Sequence, residues 1–294
     1  MFNRIETYVA QLQADPINFL ITMAYTWGVI LFSLIMHECA HGYVAYCCGD
    51  PTAKMMGRLS LNPVRHLDPV GTLCMFVLGF GWAKPVPVNP RNFRNYRRDD
   101  FLVSIAGVSV NLAIFLIAVM LSCIVNRVMM GPKMVTMMID AYDVGVEPFV
   151  SPMYNVGGYI MDGDWAGLAG FFPYAYERTF SGEIIVLEGW AALESLLTAP
   201  WLLYVQRGLL LLAQVNLTLA VFNLIPIPPL DGFHVVNDIL LKGRLRLNHQ
   251  LYQITRIALF ALMFTGLLNT VLSFCVSNVY EAVLRSFLML TGQR

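Results

Sequence analysis

Four long apolar runs limit what this chain can fold into. They cover residues 17–36, 101–126, 208–230 and 257–280, and each is close to the roughly 20 apolar residues that a membrane-spanning helix needs. Of the 294 residues, 57% are apolar and 13% are charged, whereas soluble domains have about 25% charged residues. A fifth run, residues 70–83, is short and glycine-rich, which predicts a re-entrant or hairpin element. We therefore expect an α-helical multi-pass membrane protein with about four to six membrane segments.

The charges balance over the whole chain but not within its loops. Nineteen basic and nineteen acidic residues cancel, which argues against nucleic-acid binding, since that requires a basic surplus. Residues 49–100 carry eight basic and four acidic residues, and another basic cluster lies in residues 242–256. Because basic loops remain in the cytoplasm, we expect both segments to be cytoplasmic and the amino terminus to lie outside. The chain is then a single domain over residues 1–294, most simply in the cell membrane.

An acidic segment at residues 127–200 separates the second and third runs. It has three basic and nine acidic residues, which predicts an extracytoplasmic insert. Its glycines and aromatic residues are typical of a folded or interfacial loop, of a cap over the membrane core, or of a partner-binding surface. Apolar positions at helical spacing predict a helix over residues 183–197.

Ionisable residues interrupt the apolar character that follows the first run. The sequence His37-Glu38-Cys39-Ala40-His41 places three of them within five residues, where such groups are costly and mark functional sites. Residues four apart lie on one face of a helix, so His37 and His41 can point at one metal ion. Glu38 lies beside such an ion and suits a general base that acts on water. A membrane histidine can also simply hydrogen-bond to a carbonyl, but three such groups together favour a metal site.

Two histidines do not complete a catalytic zinc site, which usually has three protein ligands. The favoured third ligand is Asp231, which directly follows the third apolar run. Pro226, Pro228 and Pro229 precede it and Gly232 follows, so the chain should leave the helical conformation there. Non-helical backbone at membrane depth is tolerated where it lines a polar cavity, and Asp231 falls on the same side of the membrane as the histidines.

Other polar residues keep alternatives open. His66 and His249 are further ligand candidates, and His66 is more typical of a turn. His234 could be a fourth ligand, could support a ligand, or could be a solvated loop residue. Asn111 and Asn223 lie in apolar runs, where each could hydrogen-bond between helices. Asn223 could instead donate to an oxyanion.

Two motifs together carry a family resemblance. The His37–His41 motif, with residues 223–232 of sequence NLIPIPPLDG, resembles the site-2 protease family of intramembrane zinc metalloproteases. Three further segments, residues 57–63, 66–71 and 82–88, are similar to the strand region between the first two core helices of that family. The resemblance covers over half of the chain.

The resemblance implies a three-helix catalytic core with a small membrane-associated β region. It also implies one Zn²⁺ per chain on His37, His41 and Asp231, with Glu38 as general base and Asn223 steadying the tetrahedral intermediate. The activity implied is regulated intramembrane proteolysis of an unidentified transmembrane protein within the lipid bilayer.

The sequence also departs from the family. Residues 106–108, Ala-Gly-Val, stand where the family often has Ala-Gly-Pro, and residues 127–200 match no part of the family core. Two other functions would use the same ligands. A metal-ion transporter would favour ligands along several spans and repeated halves, and a catalytically inactive scaffold would bind a membrane partner without cleaving it.

Overall fold

The computed structural model describes residues 2–78, 81–129, 174–178, 184–188, 197–242, 244–245 and 248–290. Within these residues the helices are α1 (Phe2–Ala14), α2 (Pro16–Cys47), α3 (Thr52–Met55), α4 (Pro69–Leu78), α5 (Tyr96–Met129), α6 (Leu202–Asn223), α7 (Asp231–Ile239), α8 (His249–Phe264) and α9 (Leu267–Leu290). The strands are β1 (Tyr174–Arg178) and β2 (Ile184–Glu188). Single turns of 3-10 helix lie at Pro63–Arg65 and Pro90–Asn92.

Three of the described helices, α2, α5 and α6, are long and apolar enough to cross a membrane. They overlap the first three apolar runs, although α6 ends at Asn223, seven residues before the third run does. The chain is therefore an α-helical integral membrane protein, as predicted. Helix α4 has ten residues and is therefore about 15 Å long, half the thickness of a bilayer core. It is too short to cross, as expected for the glycine-rich run. The number of membrane segments stays a prediction.

The fourth apolar run, residues 257–280, does not form one helix. Helix α8 ends at Phe264 and α9 begins at Leu267. Between them, Gly266 adopts a φ of 76°, a conformation that glycine reaches without the steric cost other residues incur. The prediction of one continuous helix across this run is therefore wrong.

Little of the acidic segment at residues 127–200 falls within the described residues. Strands β1 and β2 pair antiparallel, with Tyr174 opposite Glu188. The helix predicted over residues 183–197 is wrong for residues 184–188, which form β2. Its first three residues, Ile184, Ile185 and Val186, are β-branched and favour strands. Residues 189–196 of the predicted helix, and most of the expected glycine-rich and aromatic loop, lie outside the described residues.

The predicted β region between α2 and α5 contains one antiparallel bridge, between Leu67 and Ala83. Next to this bridge the Lys84 amide donates to the His66 carbonyl oxygen at 2.8 Å. The two segments joined by this bridge are therefore paired at residues 66–67 and 83–84. A larger β region stays a prediction.

The chain divides into two compact units. The first comprises Met1–Phe115 and Gln214–Asn278, and the second comprises Leu116–Ala213 and Val279–Arg294. In the first unit Leu230, Leu259 and Leu268 form a buried apolar cluster. In the second, the Thr198 amide donates to the Met129 carbonyl oxygen at 2.9 Å. All residues of the candidate site belong to the first unit. The assignment of residues 1–294 to a single domain stays a prediction.

Candidate metal centre

Helix α2 carries the two histidines on one face. Its amino terminus is fixed by Pro16 and by the Asp15 side chain, which accepts a hydrogen bond from the Asn18 amide at 3.0 Å, as is typical of a capped helix. The helix then continues without interruption through His37 and His41 to Cys47. The side chains of the two histidines are 7% and 12% exposed, so both rings are held inside the protein.

Asp231 is the first residue of α7. Helix α6 ends at Asn223 and the next seven residues form turns, which confirms the prediction that the chain leaves the helix before Asp231. A Cβ on Gly232 would lie 2.2 Å from the Leu224 carbonyl oxygen, so residue 232 must be glycine for this turn to close. About two turns before the end of α6, the buried Asn216 side-chain amide donates to the Ser33 hydroxyl of α2 at 2.8 Å. This hydrogen bond holds the two helices together.

Three donor atoms converge between these elements. The Nε2 atoms of His37 and His41 are 3.0 Å apart, and they lie 3.2 and 3.3 Å from Oδ2 of Asp231. In a tetrahedral zinc site with bonds of 2.0–2.1 Å, neighbouring ligand atoms are roughly 3.3–3.4 Å apart. The spacing of the three atoms therefore fits three corners of a zinc tetrahedron, and these residues could hold such an ion.

The hydrogen bonds of the two rings agree with that assignment. Nδ1 of His41 lies 2.7 Å from the Val103 carbonyl oxygen. Since a carbonyl only accepts, Nδ1 of His41 carries the proton. Its Nε2 therefore has a free lone pair, which faces the position that a metal ion would occupy between the three donor atoms. Nδ1 of His37 lies 3.1 Å from the fully buried Asn111 amide, which fits a metal-bound ring when the amide turns its oxygen towards Nδ1. The interhelical hydrogen bond expected of Asn111 is therefore confirmed, and its partner, the candidate ligand His37, is what the sequence did not predict.

Gly107 of α5 packs directly against both rings. A Cβ at this position would lie 2.5 Å from Cε1 of His37 and 2.5 Å from Nε2 of His41. Such distances do not occur between nonbonded atoms, so residue 107 must be glycine for the rings to converge. In the sequence, Gly107 stood out only as the middle residue of Ala-Gly-Val, which departs from the Ala-Gly-Pro of the family. A glycine inside a long spanning helix is the signal that could have identified it.

Glu38 follows the first ligand and is half-buried. Its Oε2 accepts a hydrogen bond from the Val86 amide at 2.8 Å. This contact orients one carboxylate oxygen from outside α2 and involves a backbone group, which no sequence pattern revealed.

The other sequence candidates lie outside the convergent group. His66 is buried with Nε2 2.7 Å from the Ser60 carbonyl oxygen. His234 lies with Nδ1 3.2 Å from Oδ2 of Asp100, and this hydrogen bond to a carboxylate raises the pKa of His234. Asn223 donates to the Leu219 carbonyl oxygen of its own helix at 2.9 Å, so its role at an oxyanion stays a prediction. The side chain of His249 lies outside the described residues.

Comparison with known proteins identifies the family. The family model of peptidase family M50 matches residues 25–266, far more than half of the chain. The chain belongs to peptidase family M50. It is also 34% identical over 221 residues to a Bacillus subtilis (strain 168) protein named "Putative zinc metalloprotease YwhC", covering 75% of this chain and 71% of that protein. No solved structure matches the chain significantly.

Family membership confirms the resemblance to site-2 proteases. The M50 protein described here is an integral membrane zinc metalloendopeptidase. Two imidazoles and one carboxylate are a typical donor set for catalytic zinc, in which a fourth position stays open to water or substrate. The arrangement of His37, His41 and Asp231 therefore suits hydrolysis, with Glu38 adjacent as the candidate base.

Proposed function

We propose that this M50 protease hydrolyses peptide bonds within or near transmembrane segments of another membrane protein. One observation carries the proposal: the two histidines and Glu38 lie on α2, a helix long and apolar enough to cross a membrane. A substrate that reaches them must itself enter the bilayer or its interface. The substrate is an unidentified transmembrane protein, and the process is regulated intramembrane proteolysis.

The proposed mechanism assigns a role to each side chain. His37, His41 and Asp231 would hold one Zn²⁺ per chain, which would supply a Lewis acid where bulk water is scarce. Glu38 takes a proton from the attacking water and returns it to the leaving amine. Asn223, at the end of α6, donates to the oxyanion of the tetrahedral intermediate.

The proposed orientation places this chemistry towards the cytoplasm, in the cell membrane. The basic residues of segments 49–100 and 242–256 support it, since such segments remain on the cytoplasmic side. Cysteines introduced at residues 91–98 should react with a membrane-impermeant maleimide only after the cells are opened. Labelling of intact cells would contradict the orientation.

The decisive experiment compares membrane proteomes of cells that carry the wild type or Glu38→Gln. Sequencing of new peptide termini should find fragments cut within transmembrane segments in the wild type and not in Glu38→Gln. The matched control is Glu281→Gln, because the Glu281 side chain is 43% exposed and pairs with Arg285 at 2.6 Å on α9. It should cleave like the wild type.

Zinc content separates the competing functions. The purified Glu38→Gln protein should retain about one zinc per chain, whereas Asp231→Ala and His37→Ala should lose it. Fragments that persist in Glu38→Gln would contradict the mechanism. A scaffold would produce no fragments in any variant, and a transporter would move metal independently of Glu38.

A further inference from the structure

We propose that Arg58 and the backbone amide of Val86 position the general base Glu38. This inference deepens the proposed function and rests on it, since a base is required only if the site hydrolyses a bond. It starts from the contact described above, in which the Val86 amide donates to Oε2 of Glu38 at 2.8 Å. Both groups act through Glu38 and neither is assigned contact with the substrate.

The local sequence explains why the donor is Val86. It stands between Pro85 and Pro87, and proline has no N–H, so Val86 provides the one amide donor of this tripeptide. A residue before proline is also restricted to extended backbone. Val86 is 7% exposed. The segment is therefore stiff, and its buried central residue presents a single N–H to α2.

Arg58 holds that segment in place. Arg58 is 8% exposed. Its guanidinium donates to the carbonyl oxygens of Lys84 at 2.6 Å and Pro85 at 3.1 Å. It also donates to the carbonyl oxygen of Arg65. A buried guanidinium is costly unless its donors are satisfied, and here backbone carbonyls satisfy several of them. The Pro85 carbonyl and the Val86 N–H belong to the same peptide group, so the hydrogen bond from Arg58 to this carbonyl also fixes the direction of the Val86 N–H.

The arrangement forms a continuous connection from a buried cation to the carboxylate. Arg58 fixes residues 84 and 85, the following amide fixes Oε2 of Glu38, and Oε1 is left to take the proton. A glutamate otherwise has several side-chain rotamers of similar energy. Fixing one of them matters because a general base must lie within hydrogen-bond reach of the proton that it removes.

Hydrogen exchange tests the connection without any substrate. Residues 84–88 carry three exchangeable backbone amides, on Lys84, Val86 and Val88, because residues 85 and 87 are prolines. Mass spectrometry of this segment in the full-length, zinc-loaded protein should show that the Val86 amide is protected in the wild type. In Glu38→Ala its exchange should be about tenfold faster, as expected when one hydrogen bond to a carboxylate is lost. Glu38→Gln keeps an acceptor oxygen and should keep most of the protection.

Variants of Arg58 test the second half of the connection. Arg58→Met should release the Val86 amide as Glu38→Ala does, and Arg58→Lys should restore part of the protection. The matched control is Arg91→Met, because Arg91 is an exposed arginine a few residues after this segment and takes no part in the contacts of Arg58, Val86 and Glu38. It should exchange like the wild type. Unchanged exchange of Val86 in both Glu38→Ala and Arg58→Met would overturn the proposal.

Turnover tests whether positioning matters for catalysis. With dye-labelled β-casein in dodecyl maltoside micelles, kcat of Arg58→Met should fall about tenfold to a hundredfold, since small misplacements of catalytic groups have effects of that size. KM should stay within about twofold and zinc content should equal that of the wild type. A higher kcat in Arg58→Met would instead identify the Val86 contact as inhibitory and refute positioning. If the wild type leaves casein, which has no transmembrane segment, intact, the exchange measurement alone decides the connection, and the membrane proteome decides the proposed function.

Discussion

Replacing Gly107 by alanine should greatly weaken zinc binding. The added Cβ would lie 2.5 Å from Cε1 of His37 and from Nε2 of His41, where ordinary contacts begin at 3.4 Å. Relieving both contacts requires each ring to move by about 1 Å. Zinc sites tolerate deviations of about 0.2 Å in ligand distances, so neither ring could keep its place in the donor triangle.

The expected loss can be estimated from weaker perturbations. Changing a residue that merely orients a ligand typically weakens metal binding by 10- to 100-fold. Displacing two ligands should weaken it by at least 100-fold, or about 2.7 kcal/mol. Zinc content of the purified protein, followed by competition with a chelator of known affinity, measures this change.

Gly28→Ala is the matched control for this measurement. Gly28 is also a helical glycine of the first unit, but a Cβ there would meet nothing within 4 Å. The substitution should leave zinc affinity unchanged and should stabilise α2 by up to about 1 kcal/mol, because alanine favours helix over glycine. If Gly107→Ala binds zinc as tightly as Gly28→Ala, the steric reasoning is refuted.

Two further predictions concern neighbours of the centre. Asn111→Leu removes the amide that contacts Nδ1 of His37 and should weaken zinc binding by about 10- to 100-fold in the same competition assay; unchanged affinity would deny Asn111 a supporting role. Burial, together with the nearby Asp100 carboxylate, raises the pKa of Asp238 to about 6. The folded state then holds this proton more tightly than the unfolded state, whose pKa is about 3.9, so this contribution to stability is lost as the pH rises from about 4 through 6. Asp238→Asn should therefore become more stable than the wild type as the pH rises through that window, by on the order of 1 kcal/mol. Melting temperatures of both proteins in detergent between about pH 4 and 7 measure this, and a pH-independent difference would contradict it.

The parts of the site that the sequence predicted depend on local geometry. His37 and His41 are four residues apart, and that spacing alone brings their rings together on any helix. Asp231 was identified because prolines and a glycine around it interrupt the helix, which is also a local effect. The same holds for the helices α2, α5 and α6, whose apolar runs meet the requirement of the bilayer directly.

The parts that were missed depend on contacts between distant segments. Gly107, Asn111 and the Val86 amide matter because α5 and residues 82–88 pack against α2. The sequence marks Gly107 and Asn111 as unusual residues of an apolar helix, but it does not show which side chains they meet. The helix predicted over residues 183–197, which is wrong for residues 184–188, is a different case. The apolar pattern of a short stretch is compatible with both a helix and a strand. Here the β-branched residues 184–186 favour the strand.

The long separation between the metal ligands has a consequence for biosynthesis. His41 and Asp231 supply atoms 3.3 Å apart, although about 190 residues separate them along the chain. A chain emerging from the ribosome therefore exposes the histidine pair long before the carboxylate has been made, and two imidazoles are one ligand short of a catalytic zinc site. The centre is completed at a late step of membrane insertion, after α6 has taken its place beside α2.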